Sequence, residues 1–200
     1  MARQKIRELR RGELIEAVIA AIHEYGFAAL TVNEIARYAQ TSTGSIHYYF
    51  GSKEALLEAT MRHLMSILRQ AVVARLHGKS SPENRLIAVV TGNFDESLFT
   101  RQNCSVWNQF WASAPYTPSL ARLQRLNRAR VTSNIRAEMR NLLPAALVDG
   151  ACASVQSYMD GIWINAAQTG VTIDATQAQD DAVAFLRLVL GDRLSTPKQG

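Results

Sequence analysis

A chain of 200 residues, 48% hydrophobic and 20% charged, is sized for one globular domain or for one small domain plus an ordinary one, and its composition excludes extensive disorder. Its two cysteines, Cys104 and Cys152, have no C-x-x-C or Cys/His spacing around them, which excludes a disulfide miniprotein, argues against structural zinc and reads as buried thiols in a reducing compartment. The net charge of +5 is uneven: residues 1–79 carry 11 basic and 7 acidic groups, residues 80–140 carry 8 and 4, and residues 141–200 carry 3 and 6.

In chain order, Arg3, Lys5, Arg7, Arg10 and Arg11 crowd around a lone Glu8, a cluster that suits a polyanion or forms a solvated tail. This start lacks a signal-peptide core and no run of about eighteen apolar residues follows, so a cytoplasmic location is expected. From Arg10 to Tyr25, Leu14, Ile15, Val18, Ala21 and Ile22 recur at helical steps, and Gly26 supplies the stop. Thr31-Val32-Asn33-Glu34 is a capping box that opens a short second helix to Tyr38. After Gln40 the hydroxyls Thr41, Ser42 and Thr43 cap a third helix ending at Tyr49 or Phe50, and Gly51-Ser52 breaks it.

A fourth, long helix spans Lys53 to Leu76. Ser81-Pro82 opens a fifth that the pattern carries to about Phe99, and Cys104–Trp111 is a short sixth, ended by Ala114-Pro115. Thr117-Pro118 opens an arginine-rich seventh to about Leu142. Pro144 starts an eighth to about Thr169, and Thr176 caps a ninth to about Leu190. No strand alternation or repeat appears, so the fold class is all-α. The last two helices are apolar over more surface than one neighbour covers, which predicts a subunit interface with Val155 and Leu186 on it.

Two short helices joined by Gln40-Thr41-Ser42 fit a helix-turn-helix, whose second helix enters the DNA major groove. Thr43, Gly44, Ser45 and His47 suit base edges and close phosphate approach, and Tyr48 and Lys53 can reach phosphates. A generic three-helix bundle with a hydroxyl-rich cap would show the same periodicity. Leu30-Thr31-Val32-Asn33-Glu34-Ile35-Ala36 followed by Ser42-Thr43-Gly44-Ser45-Ile46-His47-Tyr48-Tyr49-Phe50-Gly51-Ser52-Lys53-Glu54-Ala55-Leu56-Leu57 resembles the signature of the TetR family of bacterial transcriptional regulators, over about residues 8–68.

The resemblance implies an all-helical homodimer of nine or ten helices per subunit on a palindromic operator. It implies a DNA-binding domain at residues 1–52 and a ligand-binding and dimerisation domain at 53–200. The DNA-contacting positions it implies fall on Thr31, Thr43, Gly44, Ser45, His47, Tyr48, Tyr49 and Lys53. His47 stands where the family usually has tyrosine. A histidine donates to phosphate most readily when protonated, so affinity is expected to fall as pH rises through its titration.

Leu57–Leu64, Ala71–Leu76, Trp107–Trp111, Leu120–Asn127 and Asp160–Trp163 further resemble the choline-responsive repressors of glycine betaine synthesis within that family. That implies choline as effector, with another hydrophobic or cationic small molecule as the alternative. A quaternary ammonium donates no hydrogen bond and is held by aromatic faces, with a carboxylate as countercharge. Trp107, Phe110, Trp111, Tyr116, Tyr158 and Trp163 are the candidate faces and Asp160 the candidate carboxylate; all could equally be core, with Asp160 paired to an arginine of the seventh helix. No nucleophile, phosphate loop or cofactor motif accompanies the scattered His23, His47, His63 and His77, so an enzyme is not expected. Glu13, Glu16 and Glu24 on the first helix would repel an anionic membrane surface.

Overall fold

A computed structural model describes residues 2–168 and 173–191, and among them there are nine α-helices and no strand. The helices are α1 (Ala2–Tyr25), α2 (Val32–Tyr38), α3 (Thr43–Phe50), α4 (Lys53–Leu76), α5 (Pro82–Thr91), α6 (Arg101–Ser113), α7 (Pro118–Leu142), α8 (Ala145–Gln168) and α9 (Ala175–Leu190). The all-α expectation holds, with α2, α3, α4 and α7 at the expected bounds. No helix among the described residues is long and apolar enough to cross a membrane.

Four boundaries differ from the expected ones. The first helix begins at Ala2, not Arg10, because the basic segment is built of strong helix formers and its first glycine, Gly12, is tolerated inside. The fifth stops at Thr91, short of Phe99. Gly92 lies so close to α4 that a Cβ there would sit 2.9 Å from Val72 Cα, and the chain leaves through a 3₁₀ turn, Gly92–Phe94. The sixth starts at Arg101, before Cys104, and runs to Ser113, followed by a 3₁₀ turn over Ala114–Tyr116. The cap of α9 is Asp174, not Thr176: its Oδ1 accepts the N–H groups of Thr176 at 2.9 Å and Gln177 at 3.1 Å. The helix before it is described to Gln168; Thr169, its expected end, and Pro197 lie outside the described residues.

The chain divides into two compact units: residues up to Ser66 with Arg101–Gln124, and Ile67–Thr100 with the residues from Arg125 onward. This division differs from the boundary expected at residues 52 and 53: α6 and the start of α7 group with α1, α2 and α3. The first unit's core gathers Val18, Ile22, Leu30, Ile35, Ile46, Leu56, Met61, Leu64 and Phe110, most of them with no exposed surface. Each such aliphatic side chain contributes about 1.5–3 kcal/mol on burial.

The second unit packs α5, α8 and α9 around Leu86, Val90, Phe94, Val155, Met159, Ala182 and Leu186. Val155 and Leu186 are therefore core residues at 1% and 0% exposure, not members of a subunit face; the apolar side chains that α8 and α9 leave outside are Leu147, Ile164 and Leu188. Both cysteines are free and buried, and burial pushes the Cys104 thiol up to about 12, which makes it inert as a nucleophile.

Asp95 anchors the α5–α6 connection. Its carboxylate accepts from the Ser97 hydroxyl at 2.7 Å, from the Ser97 N–H at 3.1 Å and from Arg75 Nη2 at 3.1 Å. Burial pushes its pKa up, but the Ser97 bonds and Arg75 outweigh burial and hold it below the ordinary value. A depressed carboxyl contributes stability that is present above its unfolded pKa and lost as the pH falls through its folded one. Asp95→Asn is expected to cost about 1–3 kcal/mol near neutral pH and to flatten the acid side of a melting-temperature profile. Identical acid limbs for variant and parent would show that Asp95 carries none of it.

Candidate nucleic-acid interface and effector site

Helix α2 and the turn that leads from it to α3 are fixed by hydrogen bonds. Thr31 Oγ1 accepts the Glu34 N–H at 3.2 Å while the Glu34 carboxylate accepts the Thr31 N–H at 2.6 Å, the reciprocal box read from the sequence. The Thr31 N–H, and after it the Thr31 hydroxyl, hold the Glu34 carboxyl below its ordinary value. At the far end of α2, Thr41 N–H donates to Ala36 C=O at 2.9 Å and Gln40 N–H to Arg37 C=O at 3.2 Å. Gln40 takes a left-handed φ of +49° to close this Schellman motif. Ser42 then caps α3, its Oγ accepting from Ser45 N–H at 3.1 Å and lying 3.0 Å from Ser45 Oγ.

Ile46 is the one buried residue of α3, so it presses the helix inward and leaves Gly44, His47 and Tyr48 exposed, with Thr43 and Ser45 half-buried. Positions 44, 47 and 48 share one helical face. A Cβ on Gly44 would meet only Ser42 Oγ, at an ordinary 3.6 Å, so nothing inside the protomer requires glycine there, although a helical glycine costs about 1 kcal/mol against alanine. His47 Nδ1 lies 2.9 Å from the Gly51 carbonyl. A carbonyl only accepts, so Nδ1 carries hydrogen; the neutral ring then offers Nε2 as an acceptor, and only the protonated ring offers a second donor.

The basic start of α1 reaches α3. The Arg11 guanidinium donates to the Tyr49 carbonyl and lies 4.2 Å from the centre of the Phe50 ring. It places positive charge on the carbonyl end of α3, where the helix dipole is negative. An open cleft of about 780 Å³ between these segments is lined by Gln4, Arg7, Glu8, Arg11, Tyr48 and Tyr49, with Tyr48 74% exposed. Lys53 begins α4, half-buried, and Thr31 is exposed at the cap of α2. All eight expected DNA-contacting positions thus belong to the first unit, on the α2 cap, α3 and the start of α4. The part of Arg11 in holding α3 has no local sequence signal beyond its charge, since its partners are 38 and 39 residues away.

The seven residues expected around the effector divide between the units. In the first, Trp107 and Phe110 are buried with ring centroids 5.7 Å apart, and half-buried Trp111 lies 6.0 Å from Trp107. Tyr116 is 86% exposed in the turn after α6 and joins none of these rings. In the second unit, Trp163 is buried edge-on to Phe99 at 5.1 Å. Asp160 is not an open countercharge. Its carboxylate meets Arg128 Nη1 of α7 at 2.9 Å, and burial raises its pKa against the opposing pull of that arginine.

Tyr158 stacks on Phe185 with centroids 4.1 Å apart and planes parallel, and it lines a cavity of about 600 Å³ with Phe99, Ile162, Asn165, Gln177 and Asp181. The Asp181 carboxylate is steadied by Gln177 Nε2 at 2.8 Å. Burial first, and the Asp181 charge second, raise the Tyr158 pKa. An aromatic wall with a nearby carboxylate can hold a small apolar cation. Phe99 and Asp181, which were not among the residues expected around the effector, line this cavity too.

Comparison with known proteins extends these observations over most of the chain. Residues 14–60 match the family of bacterial regulatory proteins of the tetR type, and residues 82–191 match the C-terminal domain of BetI-type transcriptional repressors. The chain is 42% identical over 180 residues to the HTH-type transcriptional regulator BetI of Escherichia coli (strain K12), covering 89% of this chain and 92% of that one. It is 41% identical over 189 residues to the protein of that name from Klebsiella pneumoniae (strain 342), covering 94% and 97%. Two solved structures share the fold. A TetR transcription regulator from Haloarcula marismortui aligns with a TM-score of 0.75 and 21% identity over 89% of this chain and 96% of its own. A transcriptional regulator from Saccharomonospora viridis in complex with choline aligns with a TM-score of 0.76 and 21% identity over 88% and 95%. The chain belongs to the TetR family of bacterial regulatory proteins, and it is a ligand-responsive transcriptional repressor of the BetI type, not an enzyme.

Proposed function

We propose that this repressor is a cytoplasmic homodimer that binds a palindromic operator at choline and glycine betaine genes and responds to choline. The observation that carries the reading is the similarity to the BetI regulators, which runs through the C-terminal domain and not only through the helix-turn-helix. Choline is a small cation without N–H donors, and the cavity beside Tyr158 is lined by the kinds of group such a cation takes, the aromatic residues Tyr158 and Phe99 and the carboxylate-bearing Asp181. Trp107, Phe110 and Trp163 support the fold around their respective helices, and Asp160 positions α8 through Arg128. Binding is tested by tryptophan fluorescence and calorimetry. Choline should give heat and a spectral change, ethanolamine should bind much more weakly because its ammonium is strongly hydrated, and silence at millimolar choline would refute the assignment.

On the DNA side, Thr43, Ser45 and His47 face base edges, Gly44 admits the duplex backbone, and Thr31, Tyr48, Tyr49, Lys53, Arg7 and Arg11 meet phosphates. Log affinity is then expected to fall linearly with log salt, and Lys53→Ala should weaken all sequences about equally. Ser45→Ala should instead change the preference among operator variants, at about 1–3 kcal/mol per lost base contact. A salt-independent affinity would contradict this assignment.

A further inference from the structure

We propose that Gln109 of α6 is a positioning residue for operator recognition: its carboxamide holds the corner between α1 and α2, and so sets the orientation of the helix-turn-helix from outside it. The inference does not depend on which effector is bound.

The C-terminus of α1 ends in a tight corner. Gly26 has φ +83° and its N–H donates to the Ile22 carbonyl at 2.9 Å. That same carbonyl accepts a second bond from Gln109 Nε2 at 3.1 Å, and the next N–H, that of Phe27, donates to Gln109 Oε1. The remaining amide hydrogen of Gln109 reaches Ser105 Oγ, 3.2 Å away and one turn back on α6. Reversing the amide would set its N–H against the Phe27 N–H and its oxygen against the Ile22 carbonyl, so those two backbone partners fix its orientation, while the Ser105 hydroxyl accepts either. A Cβ on Gly26 would come within 3.3 Å of Gln109 Oε1, so the corner fits around this side chain as well as requiring the left-handed backbone.

The corner is stiff on its other side too. Tyr25 packs edge-on against Tyr38 with centroids 6.3 Å apart, and Arg37 lies 5.8 Å from the Tyr25 ring. The end of α1 is thereby tied to α2, which carries α3 through the hydrogen-bonded turn. A displacement of α6 acts on this assembly through Gln109. Reading base edges needs placement to a fraction of an ångström, whereas general phosphate attraction does not.

The test compares the full-length protein with Gln109→Leu and Gln109→Glu on two duplexes: an operator selected by the parent protein from randomised DNA, and an unrelated duplex of equal length. The ratio of specific to non-specific affinity is expected to fall at least tenfold for Gln109→Leu, with non-specific affinity within about twofold of the parent. Gln109→Glu keeps the acceptor for Phe27 N–H but sets a carboxylate against the Ile22 carbonyl; its ratio should recover at a pH low enough to protonate the new carboxyl and restore a donor. Equal losses on both duplexes would mark Gln109 as a stability residue only, and an unchanged ratio would exclude any positioning role; either overturns the proposal. Should Gln109→Leu fail to fold, the recovery or non-recovery of Gln109→Glu with pH decides it.

Discussion

Leu188→Glu is expected to separate the protomers and, with them, to abolish tight operator binding. Leu188 is 82% exposed on α9, and Leu147 and Ile164 on α8 are exposed at 54% and 37%, so the second unit carries large apolar side chains that its own core does not cover. In a two-fold dimer the same patch meets itself, and one substitution places two unpaired carboxylates in the interface. Each buried unpaired charge costs about 3–5 kcal/mol, so the two together lower the dimer constant by about 10⁴-fold or more. Because two recognition helices must reach half-sites about 34–36 Å apart, operator affinity should fall with dimerisation while the melting transition of the protomer persists. Leu186→Asp behaves differently: Leu186 has no exposed surface, so that change should unfold the protomer. A Leu188→Glu protein that sediments as a dimer would place the interface elsewhere.

Tyr158→Ala is expected to weaken choline binding by up to roughly thirtyfold, since an aromatic face is worth about 0.5–2 kcal/mol to a desolvated cation. Tyr158→Phe keeps the ring and should lose little. Asp181→Asn should also weaken choline by removing the charge steadied by Gln177. Asp160→Asn should leave it nearly unchanged, because Asp160 already spends its charge on Arg128. Trp111→Ala is the discriminating control. If it abolishes the calorimetric signal and Tyr158→Ala does not, the cation lies against the aromatic cluster of α6 and the cavity assignment is wrong.

The parts of the fold legible in sequence are those decided locally. Thr31 with Glu34, Ser42 before α3 and Ser81-Pro82 before α5 are caps whose hydrogen bonds close within three residues, and the structure has each where the pattern puts it. What was not legible depends on distant partners. The end of α5 is set by the approach of Gly92 to Val72; the Asp174 cap, by contrast, closes within three residues, and the expectation at Thr176 passed over a local carboxylate that serves two N–H groups at once. An apolar stripe marks the buried part of α1 and is blind to its polar first turns. Trp107 and Trp163 show the same limit at the site: helical spacing cannot distinguish a ring facing a cavity from one packed on Phe110 or Phe99. The Asp160 partner was foreseeable as an arginine of the seventh helix, and it is Arg128. Gln109 carries no signal at all, because its partners lie 82 and 87 residues away.

A choline-like cation is expected to change the affinity of this protein for its operator. A ligand shifts DNA occupancy only by binding the free and DNA-bound forms with different affinities, and the DNA must then shift ligand affinity by the same factor. The most direct measurement is operator affinity by fluorescence anisotropy with and without saturating choline, paired with choline affinity with and without operator. We expect both constants to change by one common factor, about 5- to 150-fold. An operator affinity unmoved by millimolar choline, in a protein that still binds that operator tightly, would contradict the account.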